Sequence, residues 1–175
     1  MLIIFSGLPA TGKTAIAREL ARRTEAVYLR IDSIEQALCD DESVAEPMDD
    51  AGYRVAYALA EDNLRLGRMV IADSVNPLAI TRDAWLDVAK RAGVRAIEIE
   101  VMCGDRAEHR RRVESRAADI PSLHLPSWED VTNREYERWE REHVVIDTAA
   151  QSVEQAVESI RELLYGSGRN HSVPV

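Results

Sequence analysis

Gly7-Leu8-Pro9-Ala10-Thr11-Gly12-Lys13-Thr14 is the stretch from which the rest of the chain is read. It satisfies GxxxxGK(S/T) at every fixed position. The glycines let successive backbone N–H groups turn inward as an anion nest at the start of a helix. Lys13 is long enough to reach the β- and γ-phosphates of a nucleotide, and the Thr14 hydroxyl suits a magnesium ion. With glycine at ~7% of residues, the four fixed positions coincide by chance in roughly one chain in a hundred or fewer. The context agrees as well. Leu2–Ser6 is a continuous apolar run that reads as a buried parallel strand, and Ile16, Ala17 and Leu20 follow at helical spacing.

Outward from that loop, strands and helices alternate. Strands are expected at Val27–Ile31, Met69–Ala72, Val94–Met102 and Val144–Ile146. Helices are expected at Ser33–Cys39, at Tyr53–Leu66 with Val55, Leu59 and Leu66 as its apolar positions, and from Pro77 to Gly93. Further helices are expected at Asp105–Arg116, at Trp128–Arg141 with Trp128, Val131 and Trp139 roughly along one side, and at Ser152–Leu164. This order predicts an α/β fold with a parallel sheet and helices on both faces. Right-handed crossovers then bring Gly7, Asp32, Asp73 and Asp147 to one sheet edge, where ligands bind in such folds.

Composition limits the partners. The 175 residues suit one domain, and the hydrophobic fraction of 46% supports a buried core. Twenty-two basic against 31 acidic residues give a net charge of −9, which favours a small substrate over a polynucleotide. A local basic groove remains open, since Arg110, Arg111 and Arg112 are consecutive. Cys39 and Cys103 match no metal or redox pattern and are expected reduced. Leu2–Phe5 is too short for a signal peptide, and no run approaches transmembrane length, so a cytoplasmic protein without membrane contact is expected; the sequence leaves the oligomeric state open, with a monomer favoured.

Met69–Asp73 has the form of a Walker B strand, followed by Ser74 where mechanical ATPases place a glutamate. No NKxD segment for guanine recognition is present. A phosphotransferase remains, with a substrate hydroxyl in place of water. Asp32 is then either the carboxylate that takes the hydroxyl proton or the N-cap of the next helix. Asp73 either holds magnesium, with Thr14, or is a strand-end turn residue.

FSGLPATGKTAIARELA (residues 5–21), YLRIDSIEQAL (28–38) and VIADSVNPLAITRDAW (70–85) together resemble the small AAA-type P-loop kinases grouped with polynucleotide 5′-kinase, zeta toxin and chloramphenicol phosphotransferase. The resemblance implies a three-layer P-loop kinase fold with a five-stranded parallel sheet over residues 1–165, ATP and Mg²⁺ as cofactors, and Asp32 as the proton acceptor. It leaves the substrate open. A lid is implied near 112–127, with Arg112 packing on adenine and Arg116 on phosphate; their spacing of four puts them on one helix face, and a solvated basic face is the alternative reading. Asp147-Thr148 is a weaker candidate for the adenine pocket. The expected activity is ATP-dependent transfer of the γ-phosphate to a hydroxyl of a small molecule. Alternatives are a polynucleotide, nucleotide-sugar or adenylylsulfate kinase and, in another class, a nucleotide-binding regulator or an ATPase without acceptor. The acidic segment 40–50 reads as a solvated loop or as recognition of a cationic acceptor, beside Tyr53 and Tyr57; 166–175 reads as a tail.

Overall fold

The computed structural model describes residues 1–40 and 50–166. Most of the acidic segment 40–50 and of the tail 166–175 therefore lies outside the described residues.

Five strands, β1 (Leu2–Ser6), β2 (Val27–Arg30), β3 (Val70–Asp73), β4 (Ala96–Met102) and β5 (Val144–Asp147), form one sheet in the order β2-β3-β1-β4-β5. Every pairing is parallel: β1 lies between β3 and β4, with Leu2 opposite both Val70 and Ala96. Parallel strands need crossovers, and helices supply them on both faces. Side chains alternate across β1. Ile3 and Phe5 pack with α1 (Lys13–Thr24) and α7 (Val153–Tyr165) through Ile16, Leu20, Val157 and Ile160. Leu2 and Ile4 face the other way, onto α3 (Ala51–Arg65) and α4 (Ala79–Arg91), through Ala56, Ala60, Trp85 and Val88. Burial on both faces explains why β1 reads as unbroken apolar sequence. Three layers result, as expected.

Several elements differ from expectation. Strand β2 stops at Arg30, and α2 (Ile31–Cys39) begins two residues early, so Asp32 sits in its first turn and Arg30 is the N-cap residue. The N-cap reading of Asp32 is thereby removed. Helix α3 forms, but Val55, Leu59 and Leu66 are exposed, while Gly52, Ala56, Ala60 and Leu64 are buried. Small residues line that face because α3 packs closely on both α2 and α4.

The expected helix 128–141 is reduced to α6 (Trp128–Asn133), opened by a capping box between Ser127 and Asp130. Beyond it the chain is captured by a buried cation. Arg82 of α4, 2% exposed, donates to the carbonyls of Glu137 (2.6 Å) and Arg138 (3.5 Å), and its guanidinium lies 4.3 Å from the Trp139 ring centroid. Carbonyls used this way are lost to a helical ladder. Helix α5 (Arg106–Ser115) is capped by the Asp105 carboxylate, which accepts from Ala107 and Glu108. Cys39 is exposed and Cys103 buried, both as free thiols. Among the described residues, no helix is long and apolar enough to cross a membrane.

Candidate functional site

The loop between β1 and α1 is held from three sides. Gly7 has φ 141° and Gly12 φ 98°, and even Ala10 is left-handed at φ 63°. The Gly7 amide donates to the Val75 carbonyl after β3 (3.0 Å), and the Thr148 hydroxyl after β5 donates to the Thr11 carbonyl (2.7 Å). His109 of α5 is buried, with Nε2 2.9 Å from the Pro9 carbonyl and its ring edge-on to Trp128. A Cβ on Gly7 would lie 2.2 Å from the Val101 carbonyl oxygen, so only glycine fits between the loop and β4.

The open side of this loop is built for an anion. Gly12 caps α1 without a side-chain hydrogen bond, and no acidic residue occupies the first turn. The first amides of α1 and its dipole thus lack a built-in negative partner. Lys13 follows immediately and is 6% exposed. Burial lowers its pKa, while the charges of Asp73 and Asp32 work to hold the proton.

Asp73 ends β3 and is 1% exposed. Its Oδ2 accepts from the Tyr28 hydroxyl at 2.6 Å, and among the described residues its Oδ1 is buried without a partner. Burial, with the Asp73 charge next, pushes the Tyr28 phenol well above its usual range, so it stays a donor. An unpartnered carboxylate oxygen at the end of the strand beside β1 fits a cation. Among the described residues no cluster of three or more His, Cys, Asp or Glu could hold a metal alone. That donor set suits magnesium, which takes few protein ligands and completes its shell with phosphate and water.

Asp32 is half-buried in the first turn of α2. Arg30 donates to its Oδ2 at 3.4 Å. Lys13, Asp32 and Arg116 all line one cavity of about 640 Å³. Arg116 reaches it as the C-cap residue of α5, with extended backbone at φ −68°, ψ 133°. The helix face expected for Arg112 and Arg116 therefore does not form. Arg112 points elsewhere, donating to Glu108 (2.8 Å), to the Thr148 hydroxyl (2.8 Å) and to the Thr148 carbonyl (3.1 Å). Thr148 in turn backs Gly12, whose added Cβ would meet its Cγ2 at 3.3 Å. Asp147 is occupied structurally, accepting from the amides of Gly104 (2.8 Å) and Ala149 (2.9 Å), which lower its pKa.

Other residues at the site were not singled out by the sequence. Asp119, in the segment after α5, receives Arg30 through two bonds (2.8 and 3.1 Å) and Arg18 at 2.7 Å. Arg30 is only 4% exposed, so this ties the segment to the end of β2. Glu35 also lines the cavity. A glutamate three residues after Asp32 on a helix was a readable signal; the partners of Arg30, Asp119 and His109 lie too far along the chain to leave one.

Compared with known proteins, residues 2–143 match the model of a family described as AAA domain. The chain belongs to that AAA domain family. Among solved structures, this AAA domain is similar to a candidate kinase from Chloroflexus aurantiacus (22% identity, TM-score 0.69, 94% of this chain and 96% of that one). It is also similar to Kti12 from Chaetomium thermophilum in complex with ADP-AlF3 (23%, 0.61, 93% and 98%). A third is the Mycobacterium tuberculosis APS kinase CysC in complex with AMPPNP and APS (16%, 0.63, 93% and 96%). At these identities the shared property is the fold, a P-loop kinase-like one. No curated protein matches the chain.

Proposed function

We propose that this chain is an ATP-dependent phosphotransferase that moves the γ-phosphate to a hydroxyl of a small molecule. The observation that carries the reading is the meeting of Lys13, Asp32 and Arg116 on one cavity beside the phosphate loop. A carboxylate and two cations around a cavity of that size suit a reaction in which a hydroxyl must be deprotonated and a phosphoryl group neutralised.

In this reading the amides at the start of α1 and Lys13 hold the phosphates. Asp32 orients the acceptor hydroxyl and takes its proton as the oxygen bonds to the γ-phosphorus and the bond to the ADP oxygen breaks. Arg116 offsets charge on the transferring group. Thr14 and Asp73 would hold Mg²⁺, which supplies charge neutralisation across the β- and γ-phosphates when bound. Arg112, on Thr148 behind the loop, serves the nucleotide side. The segment 112–127 acts as the lid, tethered by Asp119. The candidate kinase and the AMPPNP-bound APS kinase among the similar structures support this reading. A small acceptor is favoured over a polynucleotide because the net charge is −9.

The test is ADP release from ATP and Mg²⁺, with and without a panel of nucleosides, sugars, amino alcohols and 5′-hydroxyl oligonucleotides. Stimulation by at least one small alcohol, with phosphate recovered on it, is expected. Stimulation by the oligonucleotide alone moves the assignment to polynucleotide kinase. Equal ADP release with every compound makes the chain an ATPase or a nucleotide-binding regulator.

A further inference from the structure

The cavity has lining residues beyond Lys13, Asp32 and Arg116, and they bear on the acceptor. Asp32 and Glu35 are three residues apart on α2, so they share a helix face, and both line the cavity. The wall contributed by α3 is aromatic, made by Tyr53 and Tyr57. Both phenol oxygens are already engaged by the protein. The Tyr53 oxygen accepts from the Asn76 amide (3.2 Å), and the Tyr57 hydroxyl donates to the Thr81 carbonyl (3.3 Å). Tyr57 is also braced edge-on against the buried Trp85 at 4.6 Å. What these tyrosines offer a ligand is therefore ring surface, with the Tyr53 O–H as a donor. Leu78, Ile80, Leu123 and Leu125 extend that apolar lining.

Glu35 is the exception within this lining. It is half-buried, and among the described residues it takes no hydrogen bond. Helix α3 makes room for it at Gly52, where an added Cβ would fall 2.3 Å from the Glu35 Cγ. Burial, then the charge of Asp32, pushes its carboxyl up to about 7, with Arg134 acting in the opposite direction. A half-buried carboxylate given space by a glycine, beside an aromatic and aliphatic wall, gains from an arriving donor. Charge sets a further limit. Among the described lining residues, Asp32, Glu35 and Asp50 face the cavity, and Lys13 and Arg116 are committed to phosphate, which leaves Arg134 and the His124 imidazole as the other basic groups. An anionic acceptor meets three carboxylates.

Resting on the phosphotransferase reading above, we propose that Glu35 selects the acceptor. The acceptor is an alcohol with an apolar body against Tyr53 and Tyr57 and a second hydrogen-bond donor, an amine or hydroxyl, bound by Glu35. Its reacting hydroxyl lies at Asp32, one helical turn away, and it carries no anionic group.

The test uses the full chain loaded with ADP and Mg²⁺ and a series with one apolar body: 2-phenylethanol, 1-phenyl-1,2-ethanediol, 2-amino-2-phenylethanol and mandelate. Binding is measured by calorimetry, separately from ADP release in the presence of ATP. The diol and the amino alcohol are expected to bind about 10-fold or more tighter than 2-phenylethanol, and mandelate weakest. Glu35→Gln should lower affinity for the amino alcohol by about 10-fold and for the diol by less, with nucleotide affinity unchanged. Gly52→Ala, which displaces Glu35, should lower both.

The proposal is overturned if mandelate binds best, if Glu35→Gln leaves the order unchanged, or if no member binds to protein that still binds ADP. The expected order of binding without phosphate transfer to any member would sink the phosphotransferase reading and leave the selectivity of Glu35 standing.

Discussion

Arg30 and Asp119, 89 residues apart, form a two-point ion pair at 2.8 and 3.1 Å that fastens the segment after α5 to the end of β2. The two bonds from Arg30, joined by Arg18, hold the Asp119 carboxyl well below its usual range. Arg30 also touches Asp32, so one buried guanidinium links the proposed lid to the proposed base.

Asp119→Ala leaves that guanidinium buried without its main partner. The expected cost is about 1–2 kcal/mol, below the value for a fully buried pair because Asp119 is partly exposed. Urea denaturation measures it. Limited proteolysis should also cut faster within residues 116–127. A variant with parental stability and an unchanged cleavage pattern would show that the pair does not hold the segment.

Gly7 tests the loop itself. Alanine there combines φ 141° with a Cβ 2.2 Å from the Val101 carbonyl oxygen, a backbone atom that cannot turn aside. Gly7→Ala is expected to weaken ATP binding by about 10-fold or more through displacement of the loop amides. Titration with a fluorescent ATP analogue reads this directly. Parental affinity in a folded variant would mean that the loop amides do not make the nucleotide contact.

Glu35 gives a pH signature. Its carboxyl is raised from 4.5 to about 7 by burial and by the charge of Asp32, against the influence of Arg134. The folded state therefore binds more protons than the unfolded one between those values, and stability falls as pH rises through that window. Glu35→Gln removes the ionisation. Its melting temperature relative to the parent should be higher at about pH 8 than at about pH 5. A gap that is the same at both values would contradict the raised pKa.

The fold was legible because buried parallel strands read as apolar runs and amphipathic helices repeat near every 3.6 residues. Helix α3 was found but its buried face was misread, since Ala56, Ala60 and Gly52 carry no strong apolar signal and Val55 and Leu59 do. The helix from Trp128 was overextended because its interruption comes from Arg82, more than fifty residues earlier. Within the site, local motifs announced the loop, Asp32 and Asp73. The placement of Arg116 depended on where α5 ends, and the Arg30–Asp119 pair and the His109–Pro9 contact depended on tertiary folding that spacing does not encode.

The most direct test of the account is acceptor-dependent ADP release by the parent chain and by Asp32→Asn, with ATP affinity measured on both. Asparagine keeps the size of the side chain and removes the proton acceptor. In the parent, ADP release is expected to rise on adding an alcohol, and in Asp32→Asn that transfer is expected to fall on the order of 10²-fold or more with ATP affinity nearly unchanged. Transfer by Asp32→Asn at the parental rate would contradict that expectation.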